Sequence, residues 1–79
     1  MTQARAHSIV AEIVGNVLTV MVDEGAPVAA GDTIVILESM KMEIPVLTEY
    51  EGVVRELAVH EGDIVQEGDV LAVVDAVLA

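Results

Sequence analysis

The chain has no cysteine, no phenylalanine and no tryptophan, and only three basic residues against fourteen acidic ones. Each scarcity excludes something. Without cysteine there can be neither a disulfide framework nor a thiolate metal site. Two histidines, His7 and His60, are too few and too scattered for a zinc cluster. A net charge of −11 argues against nucleic acid, because phosphate binding needs clustered Lys and Arg. The same charge keeps a very apolar small domain soluble and favours basic partner surfaces. No run approaches the roughly 18 apolar residues of a membrane span. Met1 to Ser8 carries Arg5 but no apolar stretch after it, so it does not read as a signal peptide. The expectation is a soluble, cytoplasmic protein that engages neither membrane nor nucleic acid. At 79 residues it is one domain with a small core.

What is abundant is β-branched. Valine and isoleucine together number 22, against six leucines, and such side chains favour strands. With no Phe or Trp, the core must be built from many small aliphatic groups. Apolar runs are short and cut by Gly, Pro and Asp at close intervals, which points to an all-β domain.

The glycines reveal a repeat. All six fall into pairs 37 residues apart: Gly15 with Gly52, Gly25 with Gly62, Gly31 with Gly68. The same offset matches Val17 with Val54, Val22 with Val59, Glu24 with Glu61, Val28 with Val65 and Asp32 with Asp69. Two copies, bracketed as 9–37 and 46–74, are too few for a solenoid and suggest a pseudo-twofold domain. Eight strands are expected, at about 8–13, 16–22, 27–29, 33–39, 43–48, 53–59, 64–66 and 70–75. Asp23-Glu24-Gly25 and His60-Glu61-Gly62 read as turns in which Gly supplies positive φ. Gly31-Asp32 and Gly68-Asp69 read as tight turns, and Gly15 and Gly52 as separators of the first two strands of each half. Residues 35–37 and 71–74, apolar on both faces, should be central and buried. The fold is expected to be a flattened, two-sheet, eight-stranded β-barrel of two quasi-twofold four-strand halves over residues 8–75, with tails at 1–7 and 76–79. The axis should pass near the 40–42 turn, with both termini at the far end.

Lys41, the single lysine, falls where the first half hands over to the second. It stands in the run Glu38-Ser39-Met40-Lys41-Met42-Glu43-Ile44-Pro45. About three residues, Met40 to Met42, join two expected strands, a length that suits a hairpin turn. A Schiff-base or nucleophilic lysine needs desolvation or a neighbouring base to be activated. A hairpin tip offers neither. It offers access, so that another enzyme could supply the base and acylate the amine. His60, at the position of Asp23 in the other half, reads as a surface turn residue, and His7 lies in the tail. No Gly-rich phosphate loop or Ser/His/Asp arrangement is present, so no intrinsic catalysis is expected.

Met40-Lys41-Met42, with Glu38 before it and Glu43-Ile44 after it, resembles the modification site of biotinyl domains of biotin-dependent carboxylases and decarboxylases. The repeated Val-x-x-Gly-Asp turns at Val28 to Asp32 and Val65 to Asp69 fit the same family, and the resemblance spans about residues 8–75. It implies a flattened barrel (a barrel-sandwich hybrid), with biotin joined to Lys41 through an amide by a biotin protein ligase. The lysine-borne biotin would then carry a carboxyl group from a biotin carboxylase to a carboxyltransferase and its acceptor, commonly an acyl-CoA or a keto acid. Met40 and Met42 match the family's flanking methionines, as an apolar collar or as fillers of the barrel's end. Glu38 matches a position tied to ligase recognition, a role also assigned to Glu43; a solvated strand-end charge is the alternative. Ser39 stands where alanine is frequent. Only Asp23 to Pro27 separates the second and third strands, which leaves no room for the extra loop of some bacterial members.

The nearest rival is a lipoyl carrier, which shares the fold and hinge lysine but usually has Asp before the lysine and a small residue after it. The others are an unmodified acidic adaptor and an enzyme using Lys41 as nucleophile. The short tail after Met1 suggests a free-standing carrier, monomeric alone, that meets carboxylase subunits transiently.

Overall fold

Short valine-rich runs can bury one face each, and strands are the element that lets them do so. The structure, a computed structural model, describes residues 3–78, with side chains described for 5–76. Within that range the chain forms β1 (Gln3–Val10), β2 (Gly15–Val20), β3 (Pro27–Val28), β4 (Thr33–Ser39), β5 (Met42–Leu47), β6 (Gly52–Leu57), β7 (Ile64–Val65) and β8 (Val70–Leu78). They pair into two four-stranded sheets, ordered β1-β8-β6-β3 and β5-β4-β2-β7. The sheets enclose a core whose largest fully buried aliphatics include Ile34, Leu37, Leu71, Val17 and Val54.

The duplication is legible strand by strand. Adding 37 carries β2 onto β6, β3 onto β7 and most of β4 onto β8, and it maps one sheet order onto the other. Irregularities fall at matching places, between Val17 and Thr19 and between Val54 and Glu56. The turns match as well. Gly31 N–H donates to the Thr48 carbonyl at 2.7 Å, and Gly68 N–H donates to the Ala11 carbonyl at 2.8 Å. Gly31 and Gly68 have φ of 94° and 93°, values that a side chain would oppose.

The eight strands form the two facing four-strand sheets expected, and three other expectations change; no continuous ladder closes the sheets into a barrel. Edge strands β1 and β5 instead flank a groove lined by Ile9, Leu37, Ile44 and Val46, and Pro45 in β5 has no N–H to give a ladder. Gly15 and Gly52 open β2 and β6 and do not separate strands. They are glycines because the neighbouring backbone is too close: a Cβ on Gly15 would lie 2.6 Å from the Glu38 carbonyl oxygen. Strand also reaches into the segments 1–7 and 76–79 read as tails, since β1 and β8 pair from Gln3↔Leu78 onward and give each other a partner throughout. Finally, the axis does not pass near the 40–42 turn. The offset carries the pair Ser39↔Met42 onto Ala76↔Arg5. The axis therefore exchanges the β4–β5 tip with the paired ends of β1 and β8. As expected, 35–37 and 71–74 belong to the inner strands β4 and β8, although Ile36 and Val73, pointing outward, are only half-buried.

Candidate functional site

The β4–β5 hairpin is built on six cross-strand pairs, from Thr33↔Leu47 to Ser39↔Met42. Leu37↔Ile44 faces the core, and Glu38↔Glu43 points outward. The closing pair leaves a two-residue turn, Met40 and Lys41, one residue shorter than the sequence suggests. Met42 belongs to β5. Both turn residues have positive φ, 53° and 64°, the signature of a type I′ turn, whose twist matches that of the flanking strands. A side chain in this region costs roughly 1–2 kcal/mol, and here two consecutive non-glycine residues occupy it. The ladder behind the turn overrides that preference and fixes the direction in which the turn projects.

Lys41 is exposed, and no carboxylate within salt-bridge distance is found for it among the described residues. Its neighbours are exposed too, Met40 at 89% and Met42 at 63%. Neither methionine fills the end of the core. Glu38 and Glu43, both exposed, stand opposite each other just behind the turn, a like-charge pair that is unfavourable by itself. Gly15 lies beneath them, with β2 packed against the Glu38 carbonyl. The structure thus brings Glu38, Met40, Lys41, Met42 and Glu43 together at one tip. What they present is an exposed primary amine between two exposed, flexible apolar side chains, with the carboxylates of Glu38 and Glu43 and the Ser39 hydroxyl on the strands behind it.

The remaining titratable candidates lie elsewhere. His60 is an exposed turn residue whose N–H donates to Asp63 Oδ2 at 2.8 Å. His7 is in β1, not in a tail, and its ring stacks on Tyr50 with centroids 3.6 Å apart. No sequence pattern announces that contact, because the two residues have no counterparts of the same chemistry in the repeat. The link between β2 and β3 runs only from Met21 to Ala26, as the missing extra loop requires. No helix of the described residues is long and apolar enough to cross a membrane.

Comparison with known proteins gives a consistent picture. The biotin/lipoyl family model, described as biotin-requiring enzyme, matches residues 5–74. The chain is 51% identical to the biotinylated protein TB7.3 homolog of Mycobacterium leprae over 69 residues, which cover 87% of this chain and 97% of that protein. It is 43% identical over 65 residues to the biotin-dependent acyl-coenzyme A carboxylase alpha3 subunit of the same organism, covering 82% of this chain but 11% of that subunit. Among solved structures, a single-chain, multi-domain long-chain acyl-CoA carboxylase matches with a TM-score of 0.85 and 31% identity, over 90% of this chain and 7% of that one.

Proposed function

The chain belongs to the biotin/lipoyl attachment family, and from that premise we propose that it is a biotin carboxyl carrier whose cofactor is joined by an amide to Nζ of Lys41. The observation that carries this reading is the tip itself: an exposed amine, without an ion partner among the described residues, at the apex of a two-residue turn between two exposed methionines. These residues fit a covalently attached acyl group. The amine is reachable from outside, nothing in the fold must move to admit a modifying enzyme, and no pocket of this chain is required to hold the product.

The chain's own contribution is positional. Lys41 Nζ attacks the acyl carbon of biotinyl-AMP, AMP leaves with the bonding electron pair, and the nitrogen gives up its proton to a base. That base is supplied by the biotin protein ligase. Once in place, biotin supplies a group that takes up and releases a carboxyl unit. Met40 and Met42 offer polarizable, adaptable contacts to successive active sites. The β4–β5 ladder holds the tether point at one end of the molecule, away from the bulk of the domain. Tethering makes each encounter with the biotin carboxylase and the carboxyltransferase quasi-intramolecular, which raises the effective concentration of the reactant without a tight complex. The acyl acceptor is taken to be an acyl-CoA, in keeping with the acyl-CoA carboxylase subunit and structure that the chain resembles. The carrier acts in the cytoplasm as a monomer, and Glu38 and Glu43 take part in recognition by the ligase.

The test is intact mass after co-expression with a biotin protein ligase and free biotin, with Lys41→Arg alongside. One biotinyl increment on the wild type and none on the variant is the expected result. A folded wild type that gains no mass, or a Lys41→Arg protein that still gains it, would reject the assignment. An increment with a lipoyl ligase alone would establish the lipoyl carrier in its place.

A further inference from the structure

The groove between edge strands β1 and β5 lies where the two halves meet, and the duplication shows how its two ends differ. Its middle is shared. Ile9 with Val46, Ser8 with Pro45, and Val10 with Leu47 are counterparts 37 residues apart, and both members of each pair line it. Glu12 and Glu49, another such pair, are exposed and line it too. Toward the Lys41 turn the lining continues through Leu37, Ile44 and Ile13. Their counterparts at the other end, Val74, His7 and Tyr50, do not line the cavity. There the His7 ring stacks on Tyr50, and the cavity stops short of them at Gly31 and Thr48. A near-symmetric fold has thus been closed by an aromatic stack at one end. At the end that adjoins Lys41 it is left open and aliphatic.

The cavity measures about 540 Å³, within the range of sites for small organic ligands. Its walls suit a compact ring with an apolar flank and a few amide-like groups. Ile9 and Leu37 are buried, and Ile44 and Val46 are half-buried, so they offer apolar contact at its floor. β1 and β5 are both sheet edges, and an edge strand presents backbone N–H and C=O groups that its own ladder does not use. The carboxylates of Glu12 and Glu49 favour a neutral N–H donor over an anion. A second copy of the chain is a poor occupant, because it would bring the same carboxylates and a net charge of −11 against themselves.

We propose that the Lys41 end of this groove, between Ile13, Leu37, Ile44 and Val46, is a resting site for the bicyclic ureido ring of the biotin borne by Lys41. This rests on the carrier reading above. Reach selects the occupant. Ile44 is three residues from Lys41 and Val46 is five, roughly 10 and 17 Å along the strand at about 3.3 Å per residue. A lysine side chain extended by a valeryl chain spans roughly 13 Å at bond lengths near 1.5 Å. The ring at its end therefore meets the open, aliphatic part of the groove and falls short of the His7–Tyr50 end. The ureido group has two N–H donors and one C=O acceptor, the complement of unpaired edge-strand groups. Tethering supplies an effective concentration in the millimolar range, so a site of only millimolar affinity holds the ring about half the time and releases it readily to a partner enzyme.

The test compares methyl NMR spectra of the unmodified protein, the biotinylated protein and the protein acetylated at Lys41, with intact mass establishing each modification. Acetylation forms the same amide without the ring. Biotinylation is expected to shift the methyl resonances of Ile9, Ile13 and Ile44, and acetylation to leave them in place. In stopped-flow association with streptavidin, biotinylated Ile13→Asp should bind about twofold faster than biotinylated wild type, because a ring held half the time becomes free. The wild-type spectra decide the question even if that variant folds poorly. Shifts confined to Met40–Met42, or equal shifts on acetylation, would overturn the resting site while leaving Lys41 as the carrier site. A folded Ile13→Asp with an unchanged association rate would overturn it as well. A wild type that never gains a biotinyl increment would overturn the carrier reading and this inference with it. Groove methyl shifts that grow with protein concentration in the unmodified protein would assign the groove to a second copy and overturn the proposal.

Discussion

Gly52→Ala should be the most damaging methyl group that can be added to a glycine of this protein, and the structure ranks it against its relatives. A Cβ at Gly52 would run into the Asp75 carbonyl oxygen and lie 2.8 Å from the Asp75 carbonyl carbon and 2.9 Å from the Ala76 Cα. All three are backbone atoms of β8, an inner strand, and they cannot rotate away. The alternatives are separation of β6 from β8 or loss of the pairs Gly52↔Ala76 and Val53↔Asp75. Overpacking a well-filled site costs typically 1–3 kcal/mol and occasionally more; with ladder pairs at risk, about 3 kcal/mol is expected. Gly15→Ala meets one oxygen, from Glu38, at 2.6 Å, with the next atoms at 3.4 Å, so about 2 kcal/mol is expected. Gly25→Ala meets nothing within 4 Å and is opposed only by its φ of 87°, roughly 1 kcal/mol. Urea unfolding with a common m value reads these differences as shifts in midpoint. In a melting experiment Gly52→Ala should fall by roughly 12 °C or more, at about 4–8 °C per kcal/mol for a domain of this size. If Gly52→Ala proved no worse than Gly25→Ala, the close approach of β6 to β8 would not be what makes position 52 a glycine, and the same reasoning would fail for Gly15.

Two further predictions concern turns. Asp32 Oδ2 accepts from Ala29 N–H and Asp69 Oδ2 from Gln66 N–H, each at 2.9 Å. Asp32→Ala and Asp69→Ala should therefore cost similar amounts, about 1 kcal/mol each, and should add in the double variant because the turns are separate. Urea midpoints that differ widely between the two single variants would contradict the equivalence of the halves. Met40→Asn should stabilise the protein by roughly 0.5–1 kcal/mol, since Asn tolerates the left-handed region better than Met and Met40, at 89% exposure, gives up no burial. A lower melting temperature would show that Met40 makes a contribution its exposure does not reveal.

Much of this was readable from residue order because the repeat is strict. The glycine offset gave the strand count, the two halves and the tight turns, since positive φ at Gly25, Gly31, Gly62 and Gly68 is a local demand that glycine answers locally. The place of Lys41 at an exposed turn is legible for a similar reason, because it falls at the junction of the two halves. Gly15 and Gly52 were misread because their reason is not local. They answer to the backbone of another strand, which no spacing within one segment reveals. The turn was read one residue too long because Met40 and Lys41 are poor residues for positive φ, and a reading by preference would not put them there. Tertiary pairing decided it. The unclosed barrel and the His7–Tyr50 stack depend on how edges and loops meet in space, and a two-residue periodicity carries no record of that.

The same symmetry accounts for there being one joined tip and not two. Duplicating a four-strand unit creates two equivalent tips, one per sheet. At the first, Ser39 and Met42 are joined through Met40 and Lys41; at the second, the equivalent pair Ala76↔Arg5 is not joined by a turn, and its strands run on to Gln3↔Leu78. Only a joined tip holds a residue at a fixed apex, with both flanking strands restraining it. A lysine on an unjoined strand end would be held from one side and would trace a wider path. The fold thus confines a precisely placed amine to the turn between the halves, and the one lysine in the chain is there. On the sheet behind the joined tip Leu18 stands where the other half has Arg55, and Glu38 has no ion pair among the described residues. The opposite sheet, which has no tip to present, keeps its carboxylate paired.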